Sequence, residues 1–86
     1  MSPQYAYFYL MQDDRDRVAA TVAGHVSHWR ELRLPGYLGG PFADRTGGLI
    51  TFRAEDDQQA QHAVDTDPFV QEGLLAAQWL KRWSPQ

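Results

Sequence analysis

Two polar side chains in this sequence have the chemical types that proton transfer requires. His25 is one of three histidines, with His28 and His62, and an imidazole titrates near neutral pH, so it can serve as a general acid or base. Asp67 directly precedes a proline in the stretch DTDPFVQEGL, and a carboxylate can hold a neighbouring imidazole in one tautomer. The residue types therefore raise the hypothesis that one of the two carboxylates of this stretch, Asp65 or Asp67, works with a histidine.

Each of these residues also has an ordinary structural explanation. His25 could be a core histidine, His28 a solvated surface residue, and Asp67 the N-cap of a turn that begins at Pro68. A metal site on the two helix histidines and Glu31 is disfavoured, because the histidines diverge around a helix and no established metal-binding motif is present. Nucleophilic catalysis is disfavoured too, since the chain has no cysteine and no G-x-S-x-G motif.

The elements that would position these groups follow from hydrophobic spacing. Tyr5–Met11 is predicted as a strand with no charge on either face, and a helix capped by Asp13 or Asp14 is predicted to run to about Leu34. The apolar stripe of this helix contains Val18, Val22, Val26 and Trp29. His25 falls within that stripe, so of the three histidines it is the one predicted to face the sheet.

The remaining segments complete an alternating pattern. Residues 37–44 begin like a strand that breaks at Gly39-Gly40-Pro41, RTGG is a turn, and residues 49–54 form a clear strand. A second helix is predicted from Asp56 to about Thr66, PFVQEG is a turn or a single helical turn, and residues 74–83 form the last strand.

This order predicts an α+β, ferredoxin-like βαββαβ fold, with two helices on one face of a four-stranded antiparallel sheet. The other face of the sheet would stay open, and a second copy of the chain packed against it would form a homodimer.

Composition limits the classes of protein to which the chain can belong. At 86 residues the chain is predicted to be a single domain, residues 1–86. It has 43% hydrophobic residues and no cysteine, and a core of this size cannot easily bury so much apolar surface. The net charge of −3 and the lack of a basic cluster argue against nucleic acid, and no apolar run is long enough to cross a bilayer. Lacking the marks of a secretory signal as well, the chain is expected to be cytoplasmic.

Two further features, the Gly39-Gly40-Pro41 segment and the many aromatic residues, could either contact a ligand or have only a structural role. Gly39-Gly40-Pro41 is either a strand bend or a point where backbone approaches a ligand, and the many aromatic residues are mostly core or interface, although some could line a pocket for a flat organic molecule. The ligand contacts predicted on this basis are Gly40, Pro41, Trp29 and Phe69.

In their order and spacing these residues resemble the YciI-like (YCII-related) family of the dimeric α+β barrel superfamily. The resemblance covers nearly the whole chain: an aromatic first strand, a histidine eleven residues before Gly36, then GGPFADRTGGLITF, DPFVQEGL and a tryptophan-bearing last strand. It implies a ferredoxin-like fold in which the sheets of two subunits form a barrel. It also implies an acid/base role for His25 and Asp67 in a pocket between helix and sheet, with Gly40-Pro41 matching the family's GP.

Some relatives of this family eliminate HCl from chlorinated aromatic breakdown products, and related barrel families isomerise lactones or oxidise polyketides without a cofactor. The resemblance thus implies a cofactor-independent lyase, isomerase or dehydrochlorinase-like enzyme acting on a small organic molecule, with no metal. The alternative is a non-catalytic dimer that binds a small molecule or assists a pathway enzyme. One departure is visible: relatives often carry an arginine one turn before the histidine, where this chain has Thr21, and Arg17 is the nearest substitute.

Overall fold

The computed structural model describes residues 2–86, which form four strands and three helices. Along the chain these are β1 (Gln4–Met11), α1 (Arg15–Leu32), β2 (Leu38–Pro41), β3 (Gly47–Arg53), α2 (Asp57–Asp65), α3 (Pro68–Gln71) and β4 (Leu75–Arg82). The strands form one antiparallel sheet in the order β2-β3-β1-β4. This architecture confirms the predicted α+β ferredoxin-like fold, with the PFVQ segment as the expected single helical turn.

The core lies between the helices and one face of the sheet, and alternate residues of β1 supply much of it. Tyr5, Tyr7 and Tyr9 are all buried on this face, where Tyr7 stacks on Trp29 of α1 at 6.0 Å between ring centroids. Burying one large side chain of this kind stabilises the fold by about 1.5–3 kcal/mol, so this aromatic layer is a main source of stability. Within residues 2–86, none of the helices is long and apolar enough to cross a membrane.

The helix ends are set by side chains that the sequence identifies. Asp14 caps α1 by accepting from the backbone N–H of Arg17, and Asp56 caps α2 by accepting from the N–H of Gln59 at 2.8 Å. The predicted end of the first helix near Leu34 is two residues too long. The helix stops at Leu32 because Arg33 adopts a left-handed conformation, with φ of 51°, and its N–H bonds back into the last turn.

The strand expected to break at Gly39-Gly40-Pro41 does not break there. Residues Leu38–Pro41 pair continuously with β3, and the prediction of a break is wrong. An edge strand accommodates proline because one side of its backbone needs no partner, and Pro41 is the last residue of this one.

The second face of the sheet is not covered by the helices. The exposed large apolar side chains on this face are Phe8, Leu38, Leu49 and Trp79. The alternation of side chains along β4 is interrupted, because a register shift opposite Leu10 and Met11 turns Leu75 toward the core while Trp79 stays on the uncovered face.

Candidate active site

Among residues 2–86, Asp67 is the most completely buried carboxylate, with 0% of its surface exposed. It lies between α2 and α3, where its Oδ1 caps α3 by accepting from the N–H of Phe69 at 2.8 Å, and Pro68 occupies the first helical position. Its Oδ2 accepts from the indole Nε1–H of Trp29 at 2.8 Å. These two partners can only donate, so Asp67 is held as an acceptor on both oxygens.

His25 completes the set of donors around this carboxylate. Its Nδ1 lies 2.9 Å from Oδ1 and 2.8 Å from Oδ2 of Asp67. Because Asp67 accepts, Nδ1 must carry the proton, and a neutral imidazole then has its lone pair on Nε2. His25 and Trp29 are four residues apart on α1, so both side chains leave the same face of the helix and reach the same carboxylate.

Tyr9 faces the other nitrogen of the imidazole and was not singled out from the sequence. Its hydroxyl lies 3.3 Å from Nε2 of His25, a long hydrogen bond that Tyr9 donates when the imidazole is neutral. Burial, and secondarily the charge of Asp67, raises the pKa of Tyr9 to about 12. The phenol therefore stays protonated near neutral pH and acts as a donor, not as a base.

A glycine in the neighbouring strand lets Tyr9 adopt this position. Gly48 pairs with Tyr9 across β1 and β3, and a Cβ on Gly48 would overlap the Tyr9 hydroxyl and come within 2.6 Å of its ring. Because Gly48 has no side chain, the Tyr9 ring can pack directly on the backbone of β3, and its hydroxyl can reach His25. The paired glycines of RTGG were the signal in the sequence, although a turn explained them equally well.

The aromatic residues predicted to touch a ligand have different positions. Phe69 stacks on the His25 imidazole at 4.2 Å between centroids and 19° between planes, and it lines the cavity next to the histidine. Trp29 does not line this cavity: its ring is fully buried behind the histidine, where it donates to Asp67. The structure thus places Trp29, one of the predicted ligand contacts, behind the His25–Asp67 pair and outside the cavity wall.

A cavity of about 330 Å³ opens beside His25, between α1 and β2. Gly40, Pro41 and Phe69, three of the predicted ligand contacts, lie in its wall. Val22, expected to pack on the sheet, is instead exposed and also lines this opening, because β2 leaves a gap beside the helix there. A larger groove of about 610 Å³ at the start of α1 contains no histidine or tyrosine, so the smaller cavity is the candidate site.

The other histidines take no part in this cluster. His28, predicted to be solvated, is partly buried and contacts the Ala63 carbonyl oxygen at 2.8 Å through Nε2, which must donate there, while His62 is exposed on α2. Among residues 2–86 no three His, Cys, Asp or Glu side chains are grouped as they would need to be to hold a metal ion. The cluster thus combines an oriented imidazole, a buried carboxylate behind it and a neutral phenol in front, an arrangement that is chemically able to transfer a proton.

Comparison with known proteins adds a family and a fold. The family model for the YCII-related domain matches residues 5–84. The fold is similar to that of 5-chloro-2-hydroxyhydroquinone dehydrochlorinase from Burkholderia phenoliruptrix AC1100, solved with 2,5-dihydroxybenzoquinone, at a TM-score of 0.83 and 23% identity over 94% of this chain and 93% of that one. A proposed antibiotic biosynthesis monooxygenase from Bacteroides thetaiotaomicron VPI-5482 matches at a TM-score of 0.64 and 16% identity, over 98% and 89% of the two chains. A search of curated proteins finds no significant match.

Proposed function

The chain belongs to the YCII-related domain family, and from that premise we propose that it is a small-molecule enzyme whose His25–Asp67 pair transfers a proton without a cofactor. The observation that carries the proposal is the fully buried Asp67 carboxylate on Nδ1 of His25. This contact leaves Nε2 as the basic nitrogen on the side of Tyr9 and the cavity. A lyase or an isomerase needs no more than such a base, a donor and a bound substrate.

The proposed reaction begins when Nε2 of His25 takes a proton from an acidic O–H or C–H of the substrate. The electron pair of the broken bond stays on the substrate, and the imidazolium is stabilised by Asp67 at 2.8 Å. The Tyr9 hydroxyl moves from its 3.3 Å contact with Nε2 to a developing oxyanion, where a neutral donor is effective. In an isomerase the imidazolium returns the proton to another atom of the substrate. In a lyase the electron pair expels a leaving anion, and the imidazolium then releases its proton to water.

The dehydrochlorinase of the same fold suggests where to look for a substrate. That enzyme's name specifies loss of HCl from 5-chloro-2-hydroxyhydroquinone, which is an elimination of the proposed kind. A cavity of about 330 Å³ is at the small end of ligand pockets and suits one ring with its substituents. We therefore infer a compact, cyclic or aromatic substrate for this chain.

The test is turnover by a histidine variant with a matched histidine control. His25→Gln keeps an N–H donor for Asp67 but removes the basic nitrogen, and we expect it to lower kcat for chloride release from 5-chloro-2-hydroxyhydroquinone by on the order of 10²-fold or more. His28→Gln, three residues along the same helix and outside the cavity, should retain activity. Equal activity of His25→Gln and the parent protein would refute the acid/base assignment.

The alternative function is binding without chemistry, as a ligand-binding or accessory protein of a pathway. The same cavity and donors would serve it, and the two functions separate experimentally. A quinone or hydroquinone that raises Tm in the parent protein, yet is recovered unchanged after prolonged incubation, supports the binder. Product formation that depends on His25 supports the enzyme.

We also propose that two copies associate through the uncovered sheet face. Each of the four strands contributes one exposed large apolar side chain to this face, and Leu38 at its edge is 74% exposed. Exposed apolar patches of this kind mark association surfaces. Leu49→Glu, which places a charge near the centre of the patch, should convert a sedimenting dimer into a monomer without unfolding it, whereas a parent protein that is monomeric at micromolar concentration would overturn the proposal.

A further inference from the structure

The cavity carries two positive charges that the proposed proton transfer does not use. Arg30, in the last turns of α1, and Arg45, in the turn between β2 and β3, both line it. Neither guanidinium forms an ion pair or a side-chain hydrogen bond with any residue among 2–86. Two unpaired arginines at one small opening leave ten N–H donors available there.

The carboxylates nearest Arg45 belong to a different opening: Asp13, Asp14 and Asp44 line the larger groove, which Arg45 also lines, and the whole chain has a net charge of −3. No carboxylate belongs to the cavity wall, and Asp67 is sealed behind the His25 ring with no surface exposed. Asp44, the neighbour of Arg45, accepts from the hydroxyl of Thr46 at 2.7 Å and from its N–H at 3.1 Å. These hydrogen bonds hold the pKa of Asp44 below its usual value and direct the carboxylate into its own turn.

The turn that carries Arg45 is held in a conformation that arginine does not favour. Arg45 has φ of 64°, in the left-handed region, and its N–H donates to the Phe42 carbonyl at 2.9 Å. Strain at a residue in a cavity wall is a common mark of a functional position, since glycine or asparagine would adopt this conformation more easily. Arg45 adopts this conformation at an energetic cost, beside the candidate site.

The arginine expected from the family resemblance is not the source of this charge. Thr21 occupies that position, and its hydroxyl donates to the Arg17 carbonyl at 2.8 Å. The Arg17 guanidinium donates to the backbone carbonyl of Glu72 at 2.9 Å and does not line the cavity, so it is no substitute either. Positive charge instead reaches the cavity from the end of α1 and from the β2–β3 turn.

We propose that the cavity binds a small planar anion, with its ring against Phe69 and its anionic oxygen held by Arg30 and Arg45 at the opening. The inference rests on the proposed function in one respect only, that this cavity is the ligand site. Two kinds of ligand would fit this description, a flat ring with a carboxylate and a flat ring with an acidic hydroxyl. Both present an oxyanion to the arginines. Guanidinium groups bind both through charge-assisted hydrogen bonds.

Matched anionic and neutral probes test the proposal in the parent protein. The carboxylate arm compares 2,5-dihydroxybenzoate with its primary amide, and the ring-oxyanion arm compares 2,5-dihydroxybenzoquinone with neutral hydroquinone. We expect at least one anion to bind about tenfold more tightly than its neutral partner by calorimetry, with the preference falling as salt is raised. The arm that shows the preference identifies the source of the oxyanion.

Three glutamine variants then locate the preference. Arg30→Gln and Arg45→Gln should each weaken binding of the preferred anion by about tenfold and leave the neutral probe unchanged. Arg33→Gln is the matched control, because Arg33 does not line the cavity. It removes the same charge three residues from Arg30, and Arg33, like Arg45, has a left-handed backbone conformation. All three side chains are exposed, so the variants should fold.

Equal affinity for anion and neutral probe, no binding of either anion at millimolar concentration, or an equal loss in Arg33→Gln would each overturn the proposal. Failure of the proposed catalysis is distinguishable from this. Loss of turnover in His25→Gln tests the base, whereas the anion preference is read from binding alone.

Discussion

Asp67 and Asp57 are each at the centre of a cluster of hydrogen bonds. The contacts of the two carboxylates are similar in length, but their exposure to solvent differs. Asp67 accepts from His25 at 2.8 Å and from Trp29 at 2.8 Å. Asp57 accepts from the Tyr5 hydroxyl at 2.6 Å and from Nε of Arg82 at 2.7 Å. By distance alone the second cluster would be the stronger. Yet the Asp67 side chain is 0% exposed and the Asp57 side chain is 75% exposed.

This difference shows that burial, and not hydrogen-bond length, distinguishes the Asp67 cluster as a candidate site from the Asp57 cluster, which is a set of surface contacts. Around Asp67 no water can replace a lost partner, so each donor and acceptor depends on the others. Around Asp57 water competes for every contact, and the cluster merely connects β4 to the start of α2. Only the first cluster can keep an imidazole in one orientation and one tautomer.

Removing each carboxylate should give the largest contrast. Asp67→Ala leaves the Nδ1–H of His25, the Nε1–H of Trp29 and the N–H of Phe69 without an acceptor in a buried place, and we expect a loss of about 3–5 kcal/mol in the free energy of unfolding. Urea unfolding at one protein concentration measures it, with Asp57→Ala as the matched surface control. Equal losses in both variants would erase the distinction drawn above.

Gly48→Ala tests whether the region in front of His25 is as tightly built as the region behind it. The added methyl overlaps the Tyr9 hydroxyl and lies 2.9 Å from the Gly40 carbonyl oxygen, so the ring must move, at a cost of about 1–3 kcal/mol. Gly40→Ala, where a Cβ meets nothing within 4 Å, should be close to neutral. The two alanine variants, compared by urea unfolding, should therefore separate clearly, and equal effects would mean that Tyr9 is free to move aside.

Trp29→Phe sharpens the comparison by removing one donor from the buried cluster with little change of shape. His25 and Phe69 continue to donate to Asp67, so the loss should be smaller, about 1–3 kcal/mol. A tautomer measurement is the second readout. Nitrogen chemical shifts should show His25 protonated on Nδ1 in the parent protein, and a mixture of tautomers in the variant would mean that the indole helps to orient the carboxylate.

Tyrosine ionisation offers a test by pH. Burial raises the pKa of Tyr9 to about 12, above its ordinary value near 10, so above pH 10 the unfolded chain releases a proton that the folded chain retains. That contribution to stability is complete below pH 10 and is lost as pH rises toward 12. Tyr9→Phe should therefore lose less stability than the parent protein between pH 9 and pH 11.5 in thermal melts. An identical alkaline decline in both would show that folding does not raise the pKa of Tyr9.

The sequence predicted the fold well because hydrophobic period and capping residues are local signals. Asp56 marks the start of α2, and the apolar stripe around His25 shows which face of α1 packs on the sheet. Both signals lie within a few residues of the feature that they predict. The helix end near Leu34 failed because Arg33 terminates α1 in a left-handed conformation for which glycine is the usual signal.

The site was less accessible to sequence reasoning, since its parts meet only through the fold. His25 stood out by its helical face, and Asp67 by the family resemblance, and their catalytic role stays a prediction. Tyr9 could not be separated from Tyr5 and Tyr7, because all three alternate onto the same buried face and only the glycine across the sheet distinguishes it. Arg45 read as an ordinary turn residue, because its backbone conformation and its place in the cavity are tertiary facts.

Asp57→Asn should have the smallest effect and is the most direct challenge to the comparison. The Tyr5 hydroxyl and, after it, Arg82 hold the pKa of Asp57 below its usual value. A lowered acid pKa stabilises the fold above the pKa of the unfolded chain, and the contribution disappears as pH falls through the folded value. The parent protein should thus exceed Asp57→Asn only slightly at pH 7 and not at all near pH 2 in urea unfolding. If the advantage at pH 7 approached the loss in Asp67→Ala, contact length would outweigh burial, and the distinction between the two clusters would have to be abandoned.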